Sequence, residues 1–309
     1  MAEFKKELFI SNIRTELEAE GLKVNLEERT VNKLNDSYES LSITPEGEKI
    51  GINIKLDNYE KIYNSGKSMD EVVDDAVNVI INALQNQPSF DVESFTDYSQ
   101  MKNTLIMEVV STETNKEMLE TVPHDEIEDM SVVYRFLVNK DEKEGSATIL
   151  ITNEHLKALG VTPEQLHADA LENAPLIKPA EIRGMTEVLL DMMGADSVSD
   201  LGLEELEEEK MYVAGVHDNI HGASVIAYQN FMDQASERIG GGDFFILPSS
   251  IHEVLIVPDN GEMDFEELEN MVREVNATQV SPQDKLTDNV YHYDATRKVF
   301  ELASKFVSR

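Results

Sequence analysis

The sequence predicts an α+β protein with largely antiparallel sheets and helices packed on a face. Three observations carry that prediction. The hydrophobic period switches along the chain between that of an amphipathic helix and that of a half-buried strand. The C-terminal part follows the order strand, strand, helix, strand, strand, helix. The chain has 309 residues, 41% of them apolar, enough for a sizeable core without disulfides or a structural metal.

The elements follow in order. Phe4, Leu8, Phe9, Ile13 and Leu17 recur at helical spacing and Gly21 supplies a stop, so residues 3–20 read as a helix. Residues 38–44 and 50–56 alternate apolar with polar around Pro45-Glu46-Gly47-Glu48, a hairpin signature. Ser68 and Glu71 have capping-box spacing ahead of Val72, Val73, Ala76, Ile80 and Leu84, and Asn86 to Pro88 ends that helix. Leu105–Val110, Val132–Val138 and Ala147–Thr152 read as strands. Thr162-Pro163-Glu164-Gln165 sets an N-cap, a first-turn proline and a glutamine at the third position, starting a helix to about Asn173. Pro175 and Pro179 break the chain, and a short helix is expected over 181–193.

Gly194 to Lys210 is polar, acidic and weakly periodic, which places a boundary there: an N-terminal α+β region over 1–200, its subdivision into 1–90 and 91–200 left open, and a C-terminal α+β domain over 201–309. Within the latter, Met211–Val216 and Ala223–Tyr228 read as a strand pair across His217 to Gly222, followed by a helix over 230–239 stopped by Gly240-Gly241-Gly242. Phe244–Leu247 and Val254–Val257 are nearly all apolar and read as central strands. Asp264 with Glu267 caps a helix whose apolar face is Phe265, Leu268, Met271, Val272 and Val275. A cruder version of this order recurs over 38–152.

Charge narrows the function classes. With 26 Lys+Arg against 61 Asp+Glu the net charge is −35, which opposes sequence-reading nucleic-acid binding and attachment to an anionic membrane. Residues 1–100, 101–200 and 201–309 carry nets of −10, −12 and −13, an even spread that fits a solvated surface better than one acidic tail. The densest run, Glu204 to Glu209, reads as an exposed linker or helix face. Cysteine is absent, which removes disulfides and thiolate chemistry and is compatible with a reducing compartment. The start lacks the apolar segment of a secretory signal, and the longest uncharged stretch, 219–232, is too short to span a bilayer. A cytoplasmic location is expected.

The segments TNEHLKALGVTPEQLHADALENA, HGASVIAY, GGDFFILPSSIHEVLIVPD and ELENMVREVNATQVSPQDKLTDNVYHYD, with NYEKIYNSGKSMDEVV and VPHDEIEDMSVVYRFLVN earlier in the chain, together resemble the bacterial domain-of-unknown-function family 5688 over nearly the whole length. The resemblance implies a bacterial protein of a kind common in gut anaerobes and their mobile elements. It implies no activity, cofactor or catalytic residue. The family's usual Thr-Asn pair after the Met211 strand is replaced here by Gly215-Val216-His217-Asp218-Asn219.

Two constellations stand out. Ser249, Ser250, His252 and Glu253 put a nucleophile type, a base type and a carboxylate within five residues. Catalysis would need the hydroxyl against the imidazole, a third group orienting that ring and an oxyanion hole. No Gly-x-Ser-x-Gly elbow is present, and neighbours on a strand point apart, so turn formation is the plainer role. His217 and His221 lie four apart with Asp218 and Asn219 between them. On a helix they would share a face as zinc ligands do, but HDNIH lacks the glutamate that the zinc-protease pattern requires. These seven residues, Ser249, Ser250, His252, Glu253, His217, Asn219 and His221, are the candidate binding positions, and no metal or cofactor is expected. Gly66-Lys67-Ser68 is not a phosphate loop, since Lys61 stands where a glycine is required. Asp259 to Glu267 is carboxylate-rich without calcium-loop spacing. The 13 methionines read as core filler.

The expectation is therefore a non-enzymatic acidic protein that binds or regulates through a protein partner, one of basic character, without direct nucleic-acid or membrane contact. Two alternatives stand beside it. One is a DNA mimic inhibiting a nucleic-acid enzyme; the other is a hydrolase using Ser250 and His252. The sequence leaves the oligomeric state open.

Overall fold

A computed structural model describes residues 4–33, 35–48, 51–86, 97–141, 145–193, 209–261 and 264–307. The fold is α+β, and the chain forms two compact units, Met1–Asp91 and Val92–Arg309.

In the first unit the helix Lys6–Ala19 precedes strands β1 (Val24–Lys33), β2 (Asp36–Pro45) and β3 (Ile52–Lys55), then helices Leu56–Asn64 and Met69–Gln85. The strands pair antiparallel in the order β1-β2-β3. Phe9, Ile13 and Leu17 of the first helix meet Leu41 and Ile43 of β2 and Val72, Ala76 and Ile80 of the last helix in one fully buried cluster. Each of these side chains except that of Ala76 stabilises the unit by up to roughly 1.5–3 kcal/mol when removed from water. The expected capping box forms: the Glu71 N–H donates to Ser68 Oγ at 3.3 Å and the Ser68 N–H to Glu71 Oε2 at 2.8 Å.

The second unit holds two antiparallel sheets. Strands β4 (Leu105–Ser111), β5 (His124–Ile127), β6 (Met130–Asp141) and β7 (Gly145–Leu150) form one, with β4, β5 and β7 all paired to β6. The other has six strands: β8 (Ala180–Gly184), β9 (Tyr212–Val216), β10 (Phe244–Leu247), β11 (Val254–Pro258), β12 (Tyr291–Asp294) and β13 (Val299–Leu302), in the order β13-β12-β10-β11-β9-β8. Met107, Val109, Val132 and Tyr134 of the first sheet share a core with Ala214, Phe244, Ile246, Val254 and Ile256 of the second, and the helix Pro163–Ile177 adds Leu166, Ala170 and Ala174. Phe245, Leu247 and Val257 point the other way and are covered by Leu268 and Val272 of the helix Phe265–Thr278. This alternation along β10 follows from the two-residue period of a strand with both faces covered.

The structure departs from the sequence reading at four places. The six-stranded sheet runs across residue 200, because β8 pairs with β9 from Ala180↔Val216 to Gly184↔Tyr212; the boundary expected at 200/201 is not where the chain divides. Residues 180–184, expected mostly as helix, supply this edge strand, and the helix occupies Met185–Met193. Residues 223–228, expected as the partner strand of 211–216, fall instead in and just after a 3-10 segment, Gly222–Ala227. Ala223, Ser224, Val225 and Ile226 are all buried there, and periodicity alone cannot tell a fully buried apolar run in a strand from one in a helix. Finally, the helix from Pro163 continues to Ile177 with Pro175 in its last turn. The acidic run Glu204 to Glu208, and Glu262 of the carboxylate-rich turn, lie outside the described residues.

Candidate functional site

The candidate residues collect at one end of the six-stranded sheet, divided between its two faces. His221 and His252 come together on the inner side, with ring centroids 5.6 Å apart. The His221 N–H donates to His252 Nδ1 at 3.3 Å, and His252 Nε2 lies 3.4 Å from Asp284 Oδ1. A ring that accepts at Nδ1 carries its proton on Nε2, so both nitrogens are engaged. The His252 N–H donates in turn to Ser250 Oγ at 3.0 Å. The segment around Ser249 is closed by backbone bonds: Ile251 N–H to Asp284 O at 2.8 Å and Leu286 N–H to Ser249 O at 3.0 Å. A serine nucleophile needs a base whose lone pair faces the hydroxyl. Here that lone pair receives the His221 peptide, and Ser250 builds a turn.

Behind the histidines is a buried ion pair. Glu108 of β4, 1% exposed, accepts from Arg135 Nε at 2.6 Å, and Arg135 Nη1 donates to Thr148 Oγ1 at 3.2 Å. His221 Nδ1 lies 3.6 Å from Glu108 Oε1 and makes no hydrogen bond. Burial lowers the His221 pKa below the ordinary histidine value, against the opposite pull of Glu108. The His221 backbone has φ +55° and that of Asn219 +52°, two left-handed residues within one short turn. Asparagine enters this region readily, and histidine more readily than most residues; the surroundings then fix the turn.

Those surroundings hold the turn from several sides. The buried Lys178 donates from Nζ to the Ile220 carbonyl at 3.0 Å and pairs with Asp218 Oδ2 at 3.1 Å. Tyr228 donates to the Lys178 carbonyl at 3.0 Å, and burial pushes its phenol up to about 12. The Asn219 N–H bonds Val216 O at 3.0 Å, and the Ile220 N–H bonds Asp218 Oδ1 at 3.2 Å. Gly222 packs so closely on the His252 carbonyl that a Cβ would stand 2.3 Å from its oxygen. At the apex of this fixed loop the Ile220 side chain is 40% exposed.

The outer face carries the other candidates. His217 is exposed and lies 3.0 Å from Glu181 Oε1 of β8, and Glu253 is exposed beside Gly215. Both, with Asn219, line a cleft of about 960 Å³ between the outer face of β8, β9 and β11 and the helix Met185–Met193.

Of the seven candidates, Ser250, His252 and His221 are therefore joined in one hydrogen-bonded chain, while His217, Asn219 and Glu253 line the opposite cleft. Ser249 contributes only its backbone carbonyl to the turn. Sequence reasoning missed Glu108, Arg135, Lys178 and Asp284. A signal for the first two exists: each is a lone charge inside an apolar strand, LIMEVV and VVYRFLV, and charges so placed are seldom buried without a partner. Among the described residues no group of three or more His, Asp or Glu is arranged to hold a metal ion, and no helix is long and apolar enough to cross a membrane.

Comparison with known proteins gives one kinship. No curated protein and no solved structure matches the chain. The model of a family of unknown function, DUF5688, matches residues 1–295, nearly the whole chain, including every residue of the site just described. The chain belongs to the DUF5688 family.

Proposed function

We propose that this is a bacterial, cytoplasmic binding protein that acts through a basic protein partner, which it engages with the loop 217–221 at the end of the six-stranded sheet. One observation carries the reading: a loop with two left-handed non-glycine residues is tied by Lys178, Asp218, His252 and Glu181 and offers an exposed isoleucine at its tip. Ordering a loop before binding removes an entropic cost of association, and functional residues concentrate on loops held by a rigid scaffold. The Asp218 carboxylate and the peptide N–H groups of Asn219, Ile220 and His221 hold its shape. The net charge of −35 favours encounter with a cationic partner and disfavours a polyanionic one.

A photo-crosslinking residue at Ile220, introduced into the full-length protein in the cells that produce it, tests this. A discrete covalent adduct with one protein is expected, absent when the same residue replaces the exposed Val79 of the first unit. Adducts with nucleic acid only, or the same adducts from both positions, would overturn the reading.

A further inference from the structure

Resting on that reading, we infer that the cleft beside the loop is the seat of a cationic polypeptide segment that alternates Lys or Arg with aliphatic residues. Among the described residues, cover over the sheet's outer face is incomplete. The helix Phe265–Thr278 packs on Phe245, Leu247 and Val257, with Leu255 of β11 at the margin of that cluster; Leu255 and its partner in register, Val213 of β9, are half-buried and line the cleft of about 960 Å³. Val188 and Met192 of the helix Met185–Met193 form its wall, and Met192 is 78% exposed. An exposed, flexible thioether is suited to packing against a variable aliphatic side chain.

The rim sets the sign of the occupant. The lining carries four carboxylates, Glu181, Glu187, Asp191 and Glu253, and one guanidinium, Arg183, which is paired to Glu187 and Asp191. An apolar floor between carboxylates fits a segment that places aliphatic groups on the floor and cations on the rim. A second copy of the chain would bring a charge of −35 against −35, and phosphate backbones or anionic lipid headgroups meet the same repulsion. A basic protein segment remains.

The test uses the full-length protein and a fluorescein-labelled peptide alternating leucine and arginine, with serine/arginine and leucine/glutamate peptides as comparisons, followed by anisotropy at about 150 mM salt, where long-range attraction is largely screened. The leucine/arginine peptide is expected to bind. Reversing Glu253 and Asp191, both exposed, to lysine should weaken it on the order of tenfold, and Met192→Ser should weaken it severalfold. Reversing Glu16 and Glu20, both exposed at the C-terminal end of the first helix, should leave it within about twofold. Circular dichroism confirms that each variant is folded. Equal losses from the two reversals, equal binding of the serine/arginine peptide, no binding, or a concentration-dependent dimer abolished by the Glu253/Asp191 reversal would each overturn the inference. The Ile220 crosslink keeps the two readings separate: an adduct that survives in the Glu253/Asp191 variant would leave the loop as a protein-binding element while removing the cleft, and its absence from the wild type would remove both.

Discussion

The peptide N–H of His221 donates to Nδ1 of His252 at 3.3 Å, and the two rings lie 5.6 Å apart at 50°. This contact joins the loop 217–221 to the turn that begins β11. The acceptor is the lone pair on His252 Nδ1, and the His221 ring, which faces Glu108, takes no part in this bond.

The first prediction concerns pH. Burial is the largest influence on His221 and holds its pKa below the ordinary 6.5; Arg135, His252 and Lys178 act in the same direction, and Glu108 opposes them. Because the folded value is the lower one, the unfolded chain takes up more protons as pH falls through 6.5. The stability contributed by neutral His221 is therefore present above that value and lost as pH falls through the folded-state value. His221→Asn keeps a residue that tolerates positive φ and removes the titration. In urea unfolding, the stability gap between wild type and His221→Asn should shrink between about pH 7.5 and about pH 5. A gap that stays constant or grows would mean that the ring is not held neutral.

The buried pair Glu108–Arg135 yields the second. Arg135→Met leaves the carboxylate of Glu108 without its cation in the core and should cost about 3–5 kcal/mol. Replacing both residues with methionine removes the orphaned charge and should recover most of that loss. Denaturant unfolding of the two single variants and the double variant measures the coupling. Additive losses would show that the two charges act independently.

What could be read from the sequence was what short range decides. Ser68 with Glu71 and Thr162 with Pro163 announced their helices because the capping groups lie within one turn of each other. The β2–β3 pair followed from alternation, and β10 and β11 from unbroken apolar runs. The 3-10 segment 222–227 could not be read, since its shape depends on Gly222 meeting the carbonyl of His252, thirty residues on. β12 and β13 were hidden because His292 and Glu301 face each other in register inside strands that look half polar. His221 and His252 were both visible as candidates, but their approach, and the Glu108, Arg135 and Asp284 side chains around them, come from segments brought together only by the fold.

Gly222 supplies the third prediction. A Cβ there would meet His252 O at 2.3 Å and Val216 N at 2.8 Å, both backbone atoms with little room to yield. Gly222→Ala should cost about 3 kcal/mol, the upper end for overpacking. At Gly215 the nearest atom to a built Cβ is at 3.4 Å, ordinary contact distance, so Gly215→Ala should change stability by no more than about 0.5 kcal/mol. Thermal unfolding of the pair distinguishes a close approach on the inner side from tolerance on the outer one; similar losses from both would contradict it.

The fourth prediction separates local order from global stability. Lys178 is buried and divides its ammonium between the Ile220 carbonyl at 3.0 Å and the Asp218 carboxylate at 3.1 Å. Methionine at this position keeps the aliphatic stem and removes the donor, leaving the loop held chiefly from the His252 side. The Asn219 N–H, bonded to Val216 O, and the Ile220 N–H, bonded to Asp218 Oδ1, report on the change through hydrogen exchange. In Lys178→Met their exchange should quicken by on the order of tenfold or more, while amides of β10 and β11, in the buried centre of the same sheet, keep their protection. The Ile220 crosslink should weaken in parallel, because a loop that must be ordered on binding loses affinity to that ordering. If the loop amides stayed protected, Lys178 would be a filler of the core, and the rigidity on which the binding reading rests would have to come from Asp218, His252 and Glu181.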